Sequence, residues 1–320
     1  MMTYFLLLIV LFVLQTVYFR IADRYNIIDK PNERSSHQQI TLLGGGIIFY
    51  LAVAIYFLVN GFQYPWFFTG LTLISVISFI DDVKPQSSRL RLIIHLISIL
   101  LLFLQLGMFN IHWGLIILSI IVSIGILNAY NFMDGINGMI GVYTTIVFGA
   151  LWYINSFKIN FVDERFIYIL LLALVVFNFF NFRKKARCFA GDVGAISLAF
   201  IVVYLLGLLI LKTGNIVWIG LLAVFGVDTI LTIIHRLILK ENILVAHRKH
   251  LFQLLANELK FSHLIVSSIY AFVQVIVSAG LIIFENHACW FLAGSILFLS
   301  IVYYVIKKKY FYLHLQIKTK

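Results

Sequence analysis

Only three prolines and two cysteines occur in 320 residues, and charged side chains make up 12% of them. Scarce proline leaves long helices unbroken. Two cysteines cannot supply a disulfide framework, and the spans assigned below put Cys188 and Cys289 on opposite sides of a membrane, so a bridge between them is excluded. So little charge excludes both an ordinary soluble domain and a disordered chain. Long polar/apolar alternation is missing too, which argues against a β-barrel. What is abundant is apolar: 62% of the residues are hydrophobic and the mean hydropathy is +1.02. These features predict an all-α polytopic membrane protein.

Apolar runs of spanning length lie at roughly 3–19, 43–60, 65–80, 91–109, 111–127, 138–157, 165–181, 193–211, 215–234, 263–284 and 288–306, about eleven spans. The first run has no basic leader and no small-residue cleavage site, so it reads as a retained span. With an odd number of spans the termini face opposite sides. Of 24 Lys and Arg, 21 then share one side, leaving only Lys158, Arg165 and Lys212 across the membrane. The positive-inside bias predicts an outside N-terminus and a cytoplasmic C-terminus. The net charge of +11 is thereby a matter of topology, and no basic domain exists to bind nucleic acid. No repeat or linker divides the chain, so residues 1–320 read as one integral membrane domain.

This topology gathers the polar clusters on the cytoplasmic face, in loops at about 20–42, 81–90, 128–137, 182–192 and 235–262. Of thirteen acidic residues, Asp81, Asp82, Asp134 and Asp192 stand beside the ends of spans in three of these loops. Carboxylates at such depth are costly unless solvated, paired or bound to a cation. A convergent oxygen set suits Mg²⁺, with Mn²⁺ as an alternative, although a single aspartate there equally suits a helix N-cap. Arg91, Arg183, Lys184, Lys185, Arg187, Arg236 and Arg248 offer cations for phosphate oxygens, and Gly44, Gly45 and Gly46 allow close backbone approach. The competing readings are plain: tight helix packing for the glycines, headgroup anchoring for Lys184, Lys185 and Arg187. In AHRKHLFQ, His247, Arg248 and His250 read as phosphate contacts and loop positioning rather than a zinc site, given so many carboxylates for a hard ion. In NAYNFMDGINGM, Asn128, Asn131, Asp134 and Asn137 form a polar floor, or alternatively satisfy the ends of a broken helix.

Five pieces in order carry a resemblance over nearly the whole chain: DKPNERSSH followed by GGG, DD followed by RLRLIIH, NAYNFMDGING, FAGDVG, and Asp228 through HRLILKENILVAHRKHLFQ. They resemble the polyprenyl-phosphate N-acetylhexosamine-1-phosphate transferase superfamily, glycosyltransferase family 4, in its branch that initiates O-antigen and other surface glycans. The resemblance implies transfer of sugar-1-phosphate from a UDP-N-acetyl sugar to undecaprenyl phosphate in a bacterial inner membrane, with release of UMP. It also implies roles: Asp192 as Mg²⁺ ligand, Asp81 or Asp82 preparing the lipid phosphate, and Asp134 within the catalytic group. Phe189 would stack on uracil, Asn128, Asn131 and Asn137 would lie near the nucleotide, and Arg91, His247, Arg248 and His250 would hold phosphate or sugar groups. Leu42 and Leu43 depart from the proline and arginine usual before the glycines, and NFRKKARCF lacks the usual prolines. Asn137 stands where several branches have aspartate.

A nucleotide-sugar transporter is the main alternative, though its polar residues would gather at the bilayer midplane rather than at one face. A noncatalytic assembly partner is a third reading, and it would tolerate loss of Asp192. Sugar identity stays open, as does the choice between monomer and homodimer.

Overall fold

The computed structural model describes residues 2–31, 40–243, 245 and 247–315. Residues 32–39, with Arg34 and most of the DKPNERSSH motif, lie outside the described residues, as do Leu244, Ala246 and the tail lysines Lys318 and Lys320. Helices build the protein, as the apolar runs predict: α1 (Met2–Arg24), α2 (Ile47–Val59), α3 (Pro65–Val83), α4 (Ser88–Leu106), α5 (Trp113–Met133) and α6 (Met139–Phe157). After them come α7 (Glu164–Asn181), α8 (Gly191–Thr213), α9 (Ala223–Ile238), the short α10 (Leu251–Gln253), α11 (His263–Ile283) and α12 (Ala288–Leu315). Local chemistry starts several of them. Ser87 accepts from Leu90 N–H ahead of α4, Asp163 from Arg165 N–H ahead of α7, and Ser262 from Ile265 N–H ahead of α11.

Ten helices among the described residues are long and apolar enough to cross a membrane, one of them the continuous stretch Ile216–Ile238. Each of the eleven expected spans is matched by a helix. The exception in length is α2, whose 13 residues rise only about 20 Å. Its expected first residues, 43–46, form a bend and a turn instead of helix, and the amides of Gly45 and Gly46 bond to backbone before α8. A small ladder results. Antiparallel β1 (Ile28–Asp29) and β2 (Thr41–Leu42) meet in the register Ile28↔Leu42, and Leu42 bridges in parallel to Cys188. Phe189 N–H donates to Leu42 O at 2.8 Å, Gly45 N–H to Phe189 O at 2.8 Å and Gly46 N–H to Ala190 O at 3.0 Å.

The triple glycine is explained by this approach. A Cβ on Gly46 would strike the backbone of Gly194, and one on Gly45 would lie 2.5 Å from Cys188 Sγ. Tight packing is therefore the role of Gly45 and Gly46. The core centres on α8, which is apolar on every face and packs against α2, α3, α4 and α5. Ser75 and Ser197 share a buried 2.7 Å hydrogen bond between α3 and α8. Before α9 the chain runs as a 3₁₀ segment, Ile216–Leu222, and this break inside the bundle is satisfied by a side chain. Gln274 of α11 accepts from Val224 N–H at 3.2 Å and from Tyr143 Oη at 2.8 Å while donating to Gly220 O at 3.3 Å.

At the far end of the bundle, where α2, α6 and α7 meet, acidic groups are answered by donors. Asp163 accepts from Tyr56 Oη at 3.0 Å and from the Arg165 guanidinium at 2.7 Å. Glu164 accepts from Trp152 Nε1, Ser156 Oγ and Tyr168 Oη at 3.0, 2.6 and 2.8 Å. Cys188 is buried and Cys289 exposed, both as free thiols, at opposite ends of the helices.

Candidate active site

At the other end, three helices deliver carboxylates to one point. Asp81 and Asp82 close α3, Asp134 caps the C-terminus of α5, and Asp192 is the second residue of α8. Gly191 makes this possible. Its φ of +71° suits glycine, and a Cβ there would lie 2.6 Å from Asp82 Oδ2. The first N–H groups of α8 then face the neighbouring carboxylates. Gly191 N–H donates to Asp134 Oδ2 at 3.1 Å, Asp192 N–H to Asp82 Oδ1 at 2.8 Å and Val193 N–H to Asp82 Oδ2 at 3.0 Å. A helix N-terminus favours negative charge, so this is where carboxylates can be gathered at least cost.

Asp192 itself accepts from Asn131 Nδ2 at 2.9 Å and faces Arg91 Nη1 at 3.3 Å. The same Arg91 nitrogen lies 2.6 Å from Asp81 Oδ2, and Gln86 N–H reaches Asp81 Oδ1. One guanidinium thus bridges two carboxylates, while its Nε is buried and has no partner. Desolvation pushes the Asp134 carboxyl up to about 7; the Gly191 N–H draws it back down, and the negative charges of Asp192 and Asp29 raise it. The donor set is all oxygen, as Mg²⁺ prefers. Among the described residues, however, no three acidic, histidine or cysteine side chains are gathered closely enough to hold an ion by themselves. Such a set fits an ion held by one or two carboxylates together with substrate phosphates.

The 247–253 segment lies against the turn that carries Asp134. Phe132 approaches the rings of His247 and His250, at 6.1 and 5.7 Å between centroids, and a Cβ on Gly135 would lie 2.9 Å from the Phe252 ring. His247 Nδ1 accepts from Lys249 N–H at 3.2 Å, which leaves Nε2 as the donor of a neutral ring. Desolvation, then the neighbouring groups of His250, Arg236, Lys249 and Lys307, push the His247 imidazolium down to about 3. It is neutral at pH 7, so any phosphate contact it makes is a single N–H bond. Arg248 lies 3.3 Å from Glu258, and His250 is almost fully buried, its Nδ1 3.5 Å from Asp228.

Residues 64–210 match the family model described as glycosyl transferase family 4, a stretch holding the four aspartates, Arg91, the three asparagines and Phe189. The chain is also 26% identical over 311 residues to the probable undecaprenyl-phosphate N-acetylglucosaminyl 1-phosphate transferase of Bacillus subtilis, covering 89% of this chain and 84% of that one. Over residues 64–210 the chain is similar to glycosyl transferase family 4. Undecaprenyl-phosphate alpha-N-acetylglucosaminyl 1-phosphate transferases of Yersinia pestis and Salmonella typhi are 24% and 23% identical over 206 and 222 residues. Those matches take in 58% and 62% of this chain, and 56% and 60% of the respective relatives.

The structure places the residues singled out from sequence in different settings. Asp81, Asp82, Asp134, Asp192, Arg91 and Asn131 are joined by direct hydrogen bonds and ion pairs. Phe189 immediately precedes the Ala190–Gly191 step into α8, and Asn128 is exposed one turn before Asn131. Asn137 is turned into protein: its Nδ2 donates to Arg183 O at 2.8 Å and Lys184 O at 3.3 Å, and its buried Oδ1 has no partner. Arg183 and Arg187 lie over Phe179 and Phe19, at 4.4 and 5.0 Å from the ring centroids. The sequence analysis did not single out Asn181. Its Oδ1 accepts from Gly138 N–H at 2.7 Å and its Nδ2 donates to Cys188 O at 2.8 Å, tying the Asp134 turn to the strand before Asp192. It also assigned no role to Asp228, whose signal was an acidic residue inside an apolar run.

Proposed function

We propose that this chain transfers an N-acetylated sugar-1-phosphate from a UDP-sugar to undecaprenyl phosphate, releasing UMP, as the initiating step of a bacterial surface glycan. The observation that carries this reading is the convergence of Asp81, Asp82, Asp134 and Asp192 with Arg91 at one end of an apolar bundle. There a water-borne nucleotide and a membrane-borne acceptor can meet. The relatives named above support the acceptor and the sugar-phosphate class. The positive-inside bias supports a site facing the cytoplasm of a bacterial inner membrane. UDP as the carrier, and O-antigen or a related glycan as the product, rest on the motif resemblance.

In this reaction an oxygen of the lipid phosphate attacks the sugar-bearing phosphorus of the donor. The bond to the bridging oxygen breaks, leaving lipid diphosphate sugar and UMP. A phosphate monoester is largely dianionic at neutral pH, so no strong base is needed; positioning and charge neutralisation are. Arg91, now shared by Asp81 and Asp192, is the cation nearest to an incoming phosphate, and Asp81 and Asp82 would orient the acceptor. Asp192 and its neighbours would hold Mg²⁺, with Mn²⁺ as a substitute, and a bound ion would neutralise diphosphate oxygen charge. Phe189 would stack on uracil, with Asn128, Asn131 and Asn137 near the nucleotide and His247, Arg248 and His250 toward phosphate or sugar.

The test is purified protein with undecaprenyl phosphate, a divalent ion and a panel of UDP-N-acetyl sugars, following UMP and lipid-linked sugar phosphate together. Product formation that stops with a chelator and in Asp192→Asn is expected. Folded protein that forms no lipid-linked product from any donor sinks the reading.

A further inference from the structure

Asp228 lies inside the apolar face of α9 and is 3% exposed, away from the four clustered aspartates. A carboxylate at that depth is costly unless donors surround it. Here they do. Leu251 N–H donates to Oδ1 at 2.9 Å, Phe252 N–H to Oδ2 at 3.4 Å, Tyr270 Oη to Oδ2 at 2.7 Å and Thr232 Oγ1 to Oδ1 at 3.1 Å, and His250 Nδ1 lies 3.5 Å from Oδ1. Three of these five groups belong to His250, Leu251 and Phe252, where the 247–250 segment turns into α10. Only an ionised carboxylate offers acceptors alone; an amide would turn N–H₂ toward some of these donors.

The other contacts make the segment a held one. Phe252 is buried against Gly135, next to Asp134, and His250 N–H donates to Gln253 Oε1 at 3.2 Å. Lys307 of α12 donates to Lys249 O, and Arg236 of α9 donates to the carbonyls of Asn242 and Val245 at 2.5 and 3.0 Å. Asp228 is the acceptor hub among these, linking α9, α11 and the segment, and reaching α12 through Thr232 and Tyr303.

We propose that Asp228 is a positioning residue, a buried carboxylate staple that holds the His247–His250 segment against the Asp134 turn. The inference rests on the transferase reading for its kinetic consequence, but its structural half stands apart from it. In Asp228→Asn the amide repels at least one of the N–H donors, and the segment lifts while the membrane bundle stays in place.

Limited trypsin digestion in lipid nanodiscs, with peptides assigned by mass, reads this directly. Cleavage after Arg248 and Lys249 is expected to accelerate roughly 10- to 100-fold in Asp228→Asn, the range for loss of hydrogen bonds to a charged group. Tyr270→Phe removes one donor without adding a clash and is expected to accelerate it less. Unchanged cleavage in both variants overturns the proposal, even if Asp228→Ala fails to fold. In the transfer assay, Asp228→Asn should lower kcat/KM strongly in the unaltered chain but by less than about two-fold in a His250→Ala background, because both act through one segment. Fully additive losses would mean that Asp228 acts on the bundle as a whole and would overturn its role through the segment. Should even the unaltered chain make no product, the transferase reading fails while the digestion still decides the staple.

Discussion

The two ends of the helix bundle treat acidic residues in opposite ways. At the far end, Asp163 and Glu164 each meet side-chain donors from neighbouring helices, and Arg165 stands beside Asp163. At the near end, Asp81, Asp82, Asp134 and Asp192 share one arginine bridge, one asparagine amide and the opening N–H groups of α8. The first arrangement minimises energy locally. The second leaves negative charges facing one another, the kind of arrangement that marks a candidate binding site. On the transferase reading, stability and function would be served by opposite ends of the bundle.

Breaking the near end should abolish turnover before it affects the fold. Asp192→Asn is expected to lower sugar-phosphate transfer roughly 100- to 1,000-fold, by analogy with loss of one charge-organising group in other sites, with the thermal midpoint unchanged or raised. A lowered midpoint would show that the cluster is structural. Next in size is Gly46→Ala, whose methyl group would meet the Gly194 backbone and displace the start of α8. Overpacking of this kind costs about 1–3 kcal/mol. Both activity and midpoint should fall, whereas Gly149→Ala, which opens onto free space, should change neither.

The far end should behave conversely. Asp163→Asn weakens charge-assisted bonds to Tyr56 and Arg165, so the midpoint should drop by the equivalent of about 1–2 kcal/mol while kcat/KM holds. Loss of turnover at full stability would erase the contrast between the ends. The smallest effect concerns pH. Because the folded chain holds Asp134 near 7, above its ordinary 3.8, the folded state binds the proton more tightly. Its contribution to stability is complete below about pH 4 and is lost as pH rises through about 7. Asp134→Asn should flatten that part of a midpoint-against-pH curve, and an unaltered slope would move the titration elsewhere.

Much of this was legible in the residues themselves. Run length and hydropathy are local, so eleven apolar helices were readable, and four aspartates beside span ends pointed to the convergence that the structure shows. The length of α2 was not, since whether residues 43–46 join the helix or turn away from it depends on Cys188, Phe189 and Ala190, far away in the chain. Nor was the direction of Asn137, which depends on the 183–184 carbonyls, or the neutrality of His247, which depends first on its burial and then on neighbouring groups of its own segment, α9 and α12. Asp228 was visible as an oddity in an apolar run, but its donors come from two other elements that periodicity does not bring together.

The pairing of residues 41–46 with 187–190 also sets an order of assembly. Seven helices leave the ribosome before the partner of the glycine strand exists, so through that interval Gly45 and Gly46 must keep their amides in water or headgroups. The acid cluster can close only when the eighth helix arrives, and until then the nascent protein carries its aspartates as separate, solvated charges. Biosynthesis thereby delivers a settled scaffold first and the crowded negative pocket last.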